Sequence, residues 1–190
     1  MEVCQSDQTV ANGVGDQVEC LIPAEKLAQR VAELAKAISA DYADKPLLVV
    51  GVLHGAYVFM ADLVRCLTIP VRCGFVMVSS YENDTVTSGR VKLRLDLTQP
   101  VDGEHILMVD DIVDTGISIA WLIDHMKQKG PASVRLCALL DKPARRRVPV
   151  AIDYVGFEIP DRFVVGYGID CAGRHRELPY VGYVPTKKQS

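Results

Sequence analysis

The segment Ile106-Leu107-Met108-Val109-Asp110-Asp111-Ile112-Val113-Asp114-Thr115-Gly116-Ile117-Ser118 sets four apolar residues before two adjacent carboxylates, with a third acid and a small polar turn close behind. A continuous apolar run of this kind is the pattern of a parallel strand buried on both faces. The carboxyl end of such a strand is where open α/β sheets bind ligands. Residues 114–118 read as a turn opening a helix, and N–H groups and hydroxyls at a helix amino terminus suit a phosphate. The loop thus offers acceptors for ribose hydroxyls and donors for a phosphate, the two ends of a ribose 5-phosphate. Adjacent carboxylates repel unless hydroxyl donors or a cation neutralise them. A lone Asp-Asp could merely solvate a strand end while Thr115 caps the helix. Three acids together with Asp-Thr-Gly-x-Ser in one short stretch favour the ligand reading.

Outward from this segment, strands and helices alternate. The strand covers His105–Val109 and ends in Asp110-Asp111; a helix from about Gly116 to Lys129 is closed by Gly130-Pro131. Ser133–Leu140 is the next strand, with Asp141-Lys142-Pro143 at its carboxyl end. Upstream, Leu47–Leu53 is a second continuous apolar run, leading into His54-Gly55-Ala56, a helix Tyr57–Leu67 and a strand Val71–Val78. From Pro23 to about Tyr42, Leu27, Val31, Leu34, Ala35 and Ile38 recur at helical spacing. Ser79–Gln99 starts polar, then alternates Val91, Leu93, Leu95 and Leu97 with polar residues, which predicts an exposed two-stranded excursion after a polar loop. Tyr154–Glu158, Phe163–Ile169 and Tyr180–Val184 complete the strands. The expected fold is α/β, with a mainly parallel central sheet flanked by helices. Residues 1–16 are expected to form a mobile tail and residues 17–190 a single domain.

Composition narrows the function classes. The 190 residues are 49% hydrophobic and 24% charged, enough for one real core, and the net charge of −3 argues against general adhesion to nucleic acid or anionic membrane. The six cysteines show no C-x-x-C pair and no histidines at zinc-finger spacing, so they read as reduced thiols. No apolar run approaches the roughly 18 residues of a membrane span, and the first residues lack the pattern of a signal peptide. The expectation is a soluble, cytoplasmic protein with no nucleic-acid or membrane partner.

V-D-D-I-V-D-T-G, residues 109–116, resembles the phosphoribosyl pyrophosphate motif of type I phosphoribosyltransferases. Other segments resemble the hypoxanthine-guanine group within that family. Leu53-His54-Gly55-Ala56 is similar to its pyrophosphate loop and Ser80-Tyr81 to its mobile lid loop. Leu139–Pro143, Val155–Asp161 and Phe163–Tyr167 are similar to its base-binding region. The match runs in order from about Leu47 to Tyr183, and D-K-P with F-x-V-G-Y makes it specific.

The resemblance implies a type I phosphoribosyltransferase-like fold with a small hood and a mobile lid over residues 79–89. It implies an enzyme moving 5-phosphoribosyl from phosphoribosyl pyrophosphate to hypoxanthine or guanine, with Mg2+ as cofactor and pyrophosphate as product. Asp110 and Asp111 would hold the ribose hydroxyls, directly or through water and metal. Asp114 would exchange the purine N7 proton, and Asp114, Thr115, Gly116, Ile117 and Ser118 would cradle the 5-phosphate. Lys142 would donate to the 6-oxo group, Phe163 would stack on the base, and Val164 would read its edge through the backbone. Asp170 would adjoin the base and hold metal, as would Asp110 and Asp111. His54, Gly55 and Arg176 would contact pyrophosphate, with Ser80 and Tyr81 working from the lid.

The resemblance further implies a strained or cis peptide between His54 and Gly55, and a homodimer or homotetramer. His54 stands where relatives carry Lys or Arg, and Cys171 and His175 where they carry aromatics. Three other readings compete. A response-regulator-like receiver would need a phospho-accepting Asp ending a strand between Asp111 and Leu136, which is absent. An RNA-binding regulator on the same fold would rely on Arg145-Arg146-Arg147, a run that otherwise reads as a solvated turn. A xanthine-preferring transferase would share the same motifs.

Overall fold

The computed structural model describes residues 18–80 and 91–185. The expected tail, Tyr81 and most of the expected lid lie outside these residues. In chain order the elements are β1 (Glu19–Ile22), α1 (Ala24–Asp41), β2 (Leu47–Leu53), α2 (Tyr57–Cys66), β3 (Val71–Ser80), β4 (Val91–Leu95) and β5 (His105–Val113). They continue with α3 (Ile117–Lys127), β6 (Ser133–Asp141), a single 3-10 turn at Pro143–Arg145, β7 (Tyr154–Glu158), β8 (Val164–Val165) and β9 (Val181–Tyr183).

Six strands form the main sheet in the order β4-β3-β2-β5-β6-β7, parallel throughout except for the antiparallel β3–β4 pair. The alternation of strand side chains divides the core into two clusters. Leu47 and Val49 of β2, with Leu107 and Val109 of β5, pack with Leu27, Val31, Leu34, Ala35 and Ile38 of α1 and with Phe59 and Leu63 of α2. Leu48, Val50, Ile106 and Met108 pack the other way, with Ile119, Leu122 and Met126 of α3. Period-two strands against period-3.6 helices produce this two-sided core. Pro23 caps α1 in an extended conformation, and the buried stripe on that helix is the one its spacing predicts.

Strand order reverses beside β2. The chain leaves β2 for β3 on one side and returns to β5 on the other, so β2 and β5 diverge at their carboxyl ends. Their pairing stops at Gly51 with Val109, while β5 stays paired with β6 as far as Val113 with Asp141. Asp110 and Asp111 therefore belong to the strand itself, past the point where β2 has turned away. Such a switch point opens the crevice in which open α/β sheets bind ligands.

Several expected boundaries shift. β3 runs on to Ser80, and β4 returns along it, so the polar segment links two strands at the edge of the main sheet and is no separate excursion. α3 stops at Lys127, with Gly130 at φ +80° three residues later. The strand expected over Phe163–Ile169 is only Val164–Val165, because Gly166, Tyr167 and Gly168 take positive φ and carry the chain into turns. β1, too short to stand out in the sequence, pairs with β9, and β9 with β8, forming a separate three-stranded antiparallel sheet. This sheet is the hood expected from the resemblance.

Candidate active site

The crevice is built from four segments: the end of β5 and its loop, the loop after β2, the end of β6, and the chain following β8. Asp110 is buried, and its Oδ1 accepts the N–H of Asp111 at 3.1 Å. Burial pushes the Asp110 carboxyl well above the usual carboxylate range, and the Asp111 charge adds to it. Burial raises Asp111 as well, against the opposing hydrogen bonds from Asp110 and the backbone and the Arg176 guanidinium. Two acids forced together in this way are relieved by hydroxyl donors or a cation.

Gly55 explains how the two loops approach. A Cβ there would lie 1.8 Å from Asp111 Oδ2, so the loop after β2 lies directly on the Asp111 carboxylate. The cis peptide in this loop joins Leu53 to His54, one bond earlier than the His54–Gly55 link expected. His54 is exposed, and its carbonyl accepts the N–H of Tyr57 at 3.2 Å.

Beyond Val113 the chain turns at Gly116, whose φ of +83° only glycine adopts readily; a Cβ would also meet the Val148 carbonyl at 2.5 Å. Thr115 Oγ1 accepts the Ile117 N–H at 3.4 Å as α3 starts. With α3 beginning at Ile117, Thr115, Gly116, Ile117 and Ser118 line its amino terminus, an arrangement fit for a phosphate. Arg146 clamps this loop: its Nε donates to the Asp114 carbonyl at 3.0 Å and one Nη to the Val113 carbonyl at 3.2 Å, and it pairs with Asp141. In sequence Arg146 reads only as part of a solvated run. Its signal would have been position: it lies on the turn after β6, the strand paired with β5.

Lys142 is 4% exposed, with Nζ 3.4 Å from Asp161 Oδ1. A buried ammonium at a strand end needs such a partner or a ligand, unlike a solvated surface lysine. Phe163 is 58% exposed, the most exposed of the large apolar side chains among the described residues. An ordinary core aromatic would be buried; a ring presented to solvent is free to stack on a base. Val164 beside it is buried in β8.

Asp170 and Arg176 are paired: Nη2 lies 2.6 Å from Oδ1, while Oδ2 accepts the Gly173 N–H at 2.7 Å. Arg176 also donates to the Gly168 carbonyl at 2.6 Å. The resemblance assigns the two to different ligands, and the structure brings them together. Among the described residues no three His, Cys, Asp or Glu side chains converge as a metal cage. The raised acid pair still suits a hard divalent cation whose remaining ligands are substrate oxygens and water. A cavity of about 420 Å3 is lined in part by Tyr57, Asp62, Tyr167 and Arg176. There Tyr167 Oη donates to Asp62 at 2.6 Å.

The model for the phosphoribosyl transferase domain family matches residues 18–171. The chain is 46% identical to the hypoxanthine phosphoribosyltransferase of Haemophilus influenzae, a match spanning 88% of this chain and 95% of that protein. It is 42% identical to the hypoxanthine-guanine phosphoribosyltransferase of Bacillus subtilis, over 88% and 93% respectively. A crystal structure of a hypoxanthine-guanine phosphoribosyltransferase from Bacillus anthracis superposes with a TM-score of 0.85 at 42% identity, covering 90% of this chain and all of that one.

Proposed function

We propose, because the chain belongs to the phosphoribosyl transferase domain family, that it transfers 5-phosphoribosyl from phosphoribosyl pyrophosphate to a 6-oxopurine, hypoxanthine or guanine, in purine salvage. The observation that carries this reading is the convergence of the Asp110–Ser118 loop with buried Lys142 on the paired ends of β5 and β6.

The reaction breaks the ribose C1–oxygen bond to pyrophosphate and makes a C1–nitrogen bond to the purine, which loses one proton. Asp110 and Asp111 would accept hydrogen bonds from the ribose hydroxyls as positive charge develops at C1. The loop of residues 114–118 would hold the 5-phosphate on N–H groups and hydroxyls at the start of α3. The Asp114 carboxylate would take the proton at N7, a general-base role. Lys142 would donate to the 6-oxo oxygen, and Phe163 would cover one face of the base. Backbone groups of His54 and Gly55 and the Arg176 fork would receive the pyrophosphate. Arg176 is paired with Asp170, and pyrophosphate would compete with that carboxylate for its fork.

Mg2+, when bound, supplies charge neutralisation of the leaving pyrophosphate. Asp110, Asp111 and Asp170 are the residues to hold it. The enzyme would act in the cytoplasm; no helix among the described residues is long and apolar enough to cross a membrane. The lid expected over residues 79–89, with Ser80 and Tyr81 as its contacts, falls for the most part outside the described residues.

Steady-state kinetics with hypoxanthine, guanine and xanthine at fixed phosphoribosyl pyrophosphate test the reading. Formation of IMP or GMP with stoichiometric pyrophosphate is expected. A preference for xanthine would correct the substrate, and no nucleotide from any 6-oxopurine would refute the reading.

A further inference from the structure

We infer that Arg145 is a positioning residue for the transfer: its guanidinium fixes the Asp114 carboxylate and ties it, through Asp161, to Lys142. The inference rests on the assignment of Asp114 and Lys142 to the purine subsite. The starting point is the run Arg145-Arg146-Arg147, which in sequence reads as a solvated turn. The structure gives the three arginines different surroundings. Arg146 is the clamp on the Val113 and Asp114 carbonyls, and Arg147 contributes its backbone N–H to the Thr115 carbonyl at 2.9 Å. Arg145 directs its side chain to the acids. Its Nε lies 3.3 Å from Asp114 Oδ1 and its Nη1 4.0 Å from Asp161 Oδ1. The same Asp161 oxygen lies 3.4 Å from Lys142 Nζ.

The order of charges is therefore Lys142 plus, Asp161 minus, Arg145 plus, Asp114 minus. Asp114 Oδ1 is shut off from solvent and accepts no hydrogen bond among the described residues, while the side chain as a whole stays one-third exposed, so the guanidinium beside Oδ1 orients a carboxylate that water still solvates. The local chain makes this geometry. Pro143 opens the 3-10 turn, Lys142 precedes it and Arg145 closes it, so the two cations face the same acid. The Arg146 clamp fixes the distance between that turn and the Asp114 loop.

A purine needs its N7 partner and its 6-oxo partner set at one separation. The alternating chain of charges sets them together. Arg145 is half exposed, and exposed ion pairs add little to folding stability. Orientation of a catalytic carboxylate is another matter, since a shift of about 1 Å can cost up to about a hundredfold in rate.

The test compares wild type with Arg145→Ala, Arg145→Lys, Asp161→Asn and the Arg145→Ala/Asp161→Asn pair. Hypoxanthine and phosphoribosyl pyrophosphate are varied in turn, and melting temperatures are recorded. Arg145→Ala is expected to lower kcat about 5- to 50-fold and raise the hypoxanthine KM. The phosphoribosyl pyrophosphate KM should stay within about twofold, with the melting temperature unmoved. Arg145→Lys should recover part of kcat, and the paired variant should lose less than the product of the single losses.

Three results overturn the inference. One is an Arg145→Ala enzyme with kcat and hypoxanthine KM within about twofold of wild type. Another is a rise mainly in the phosphoribosyl pyrophosphate KM, which would make Arg145 a phosphate ligand. The third is a fall in kcat that tracks a lowered melting temperature and is not restored by Lys, which would make its role structural. A wild type that forms no nucleotide would instead refute the proposed function itself, and the two failures are told apart by that control.

Discussion

Asp114 and Asp110 stand four residues apart, yet their surroundings fit them for opposite work. Asp114 lies against a guanidinium at a turn, whereas Asp110 is buried against another acid. Asp114→Asn keeps the shape and removes the base. If Asp114 takes the N7 proton, kcat should fall about 100- to 10,000-fold with little change in phosphoribosyl pyrophosphate binding. A near-normal kcat with an unchanged pH profile would place the base elsewhere. Lys142→Ala removes the buried ammonium and should raise the KM for hypoxanthine about ten- to a hundredfold, the loss of one charge-assisted hydrogen bond. An unchanged base KM would remove Lys142 from the subsite. Asp110 and Asp111 carry a stability consequence of the opposite kind. Their carboxyls titrate higher folded than unfolded, so the folded state binds protons more tightly. Stability from this source is full below about pH 3.9, the unfolded aspartate value, and is lost as pH rises through the raised folded values. Asp110→Asn should therefore raise the melting temperature near neutral pH and flatten its decline from acid to neutral pH. Calorimetry across that range checks this; a lowered melting temperature with the slope intact would contradict it.

At the scale of elements, α1 is fastened to the sheet by more than its apolar stripe. Arg30 donates to the Gly156 carbonyl at 3.0 Å and the Val155 carbonyl at 2.8 Å, and pairs with Glu33 at 2.7 Å. β7 is an edge strand of the main sheet, so α1 stabilises it through these carbonyls. Arg30→Met should lower unfolding free energy by about 1–3 kcal/mol in a urea titration, through two lost carbonyl hydrogen bonds. Its partners are strand carbonyls and a neighbouring glutamate, none of them a group assigned to the ligands, so kcat should be kept. The boundaries of α1, α2, β2 and β7 were readable within a residue or so, because continuous apolar runs and helical stripes declare themselves locally. β1 was not readable. It gains its identity by pairing with β9 across the length of the chain, with Glu19 opposite Tyr183. The cysteines divide similarly: Cys137 is buried like a small hydrophobe, while Cys66 and Cys73 are exposed.

For the whole molecule, the switch point between β2 and β5 brings acids from one strand, a glycine loop from another and a lysine from a third into one crevice, with the hood beside it. The described protein groups supply no complete metal cage. Metal is proposed to arrive with phosphoribosyl pyrophosphate, and excess EDTA should abolish turnover, with Mg2+ restoring it. Full activity in chelator would refute the requirement. A homodimer or homotetramer is proposed from family membership, and a monomeric mass at assay concentration would count against it.

By itself the sequence determined the α/β class, the acid-rich loop after β5 and the segments proposed to carry phosphate and base contacts. Those features are local: a buried strand, its two acids and a glycine turn are adjacent in the chain, and apolar periodicity reports burial directly. Tertiary structure alone decided what each charged side chain faces. Gly55 lies on Asp111, Arg176 pairs with Asp170, and Lys142, Asp161, Arg145 and Asp114 line up by charge. An arginine in a basic run carries no mark of whether water or a carboxylate will surround it. That depends on which strand ends the sheet sets side by side, and strand order is fixed by packing over the whole core.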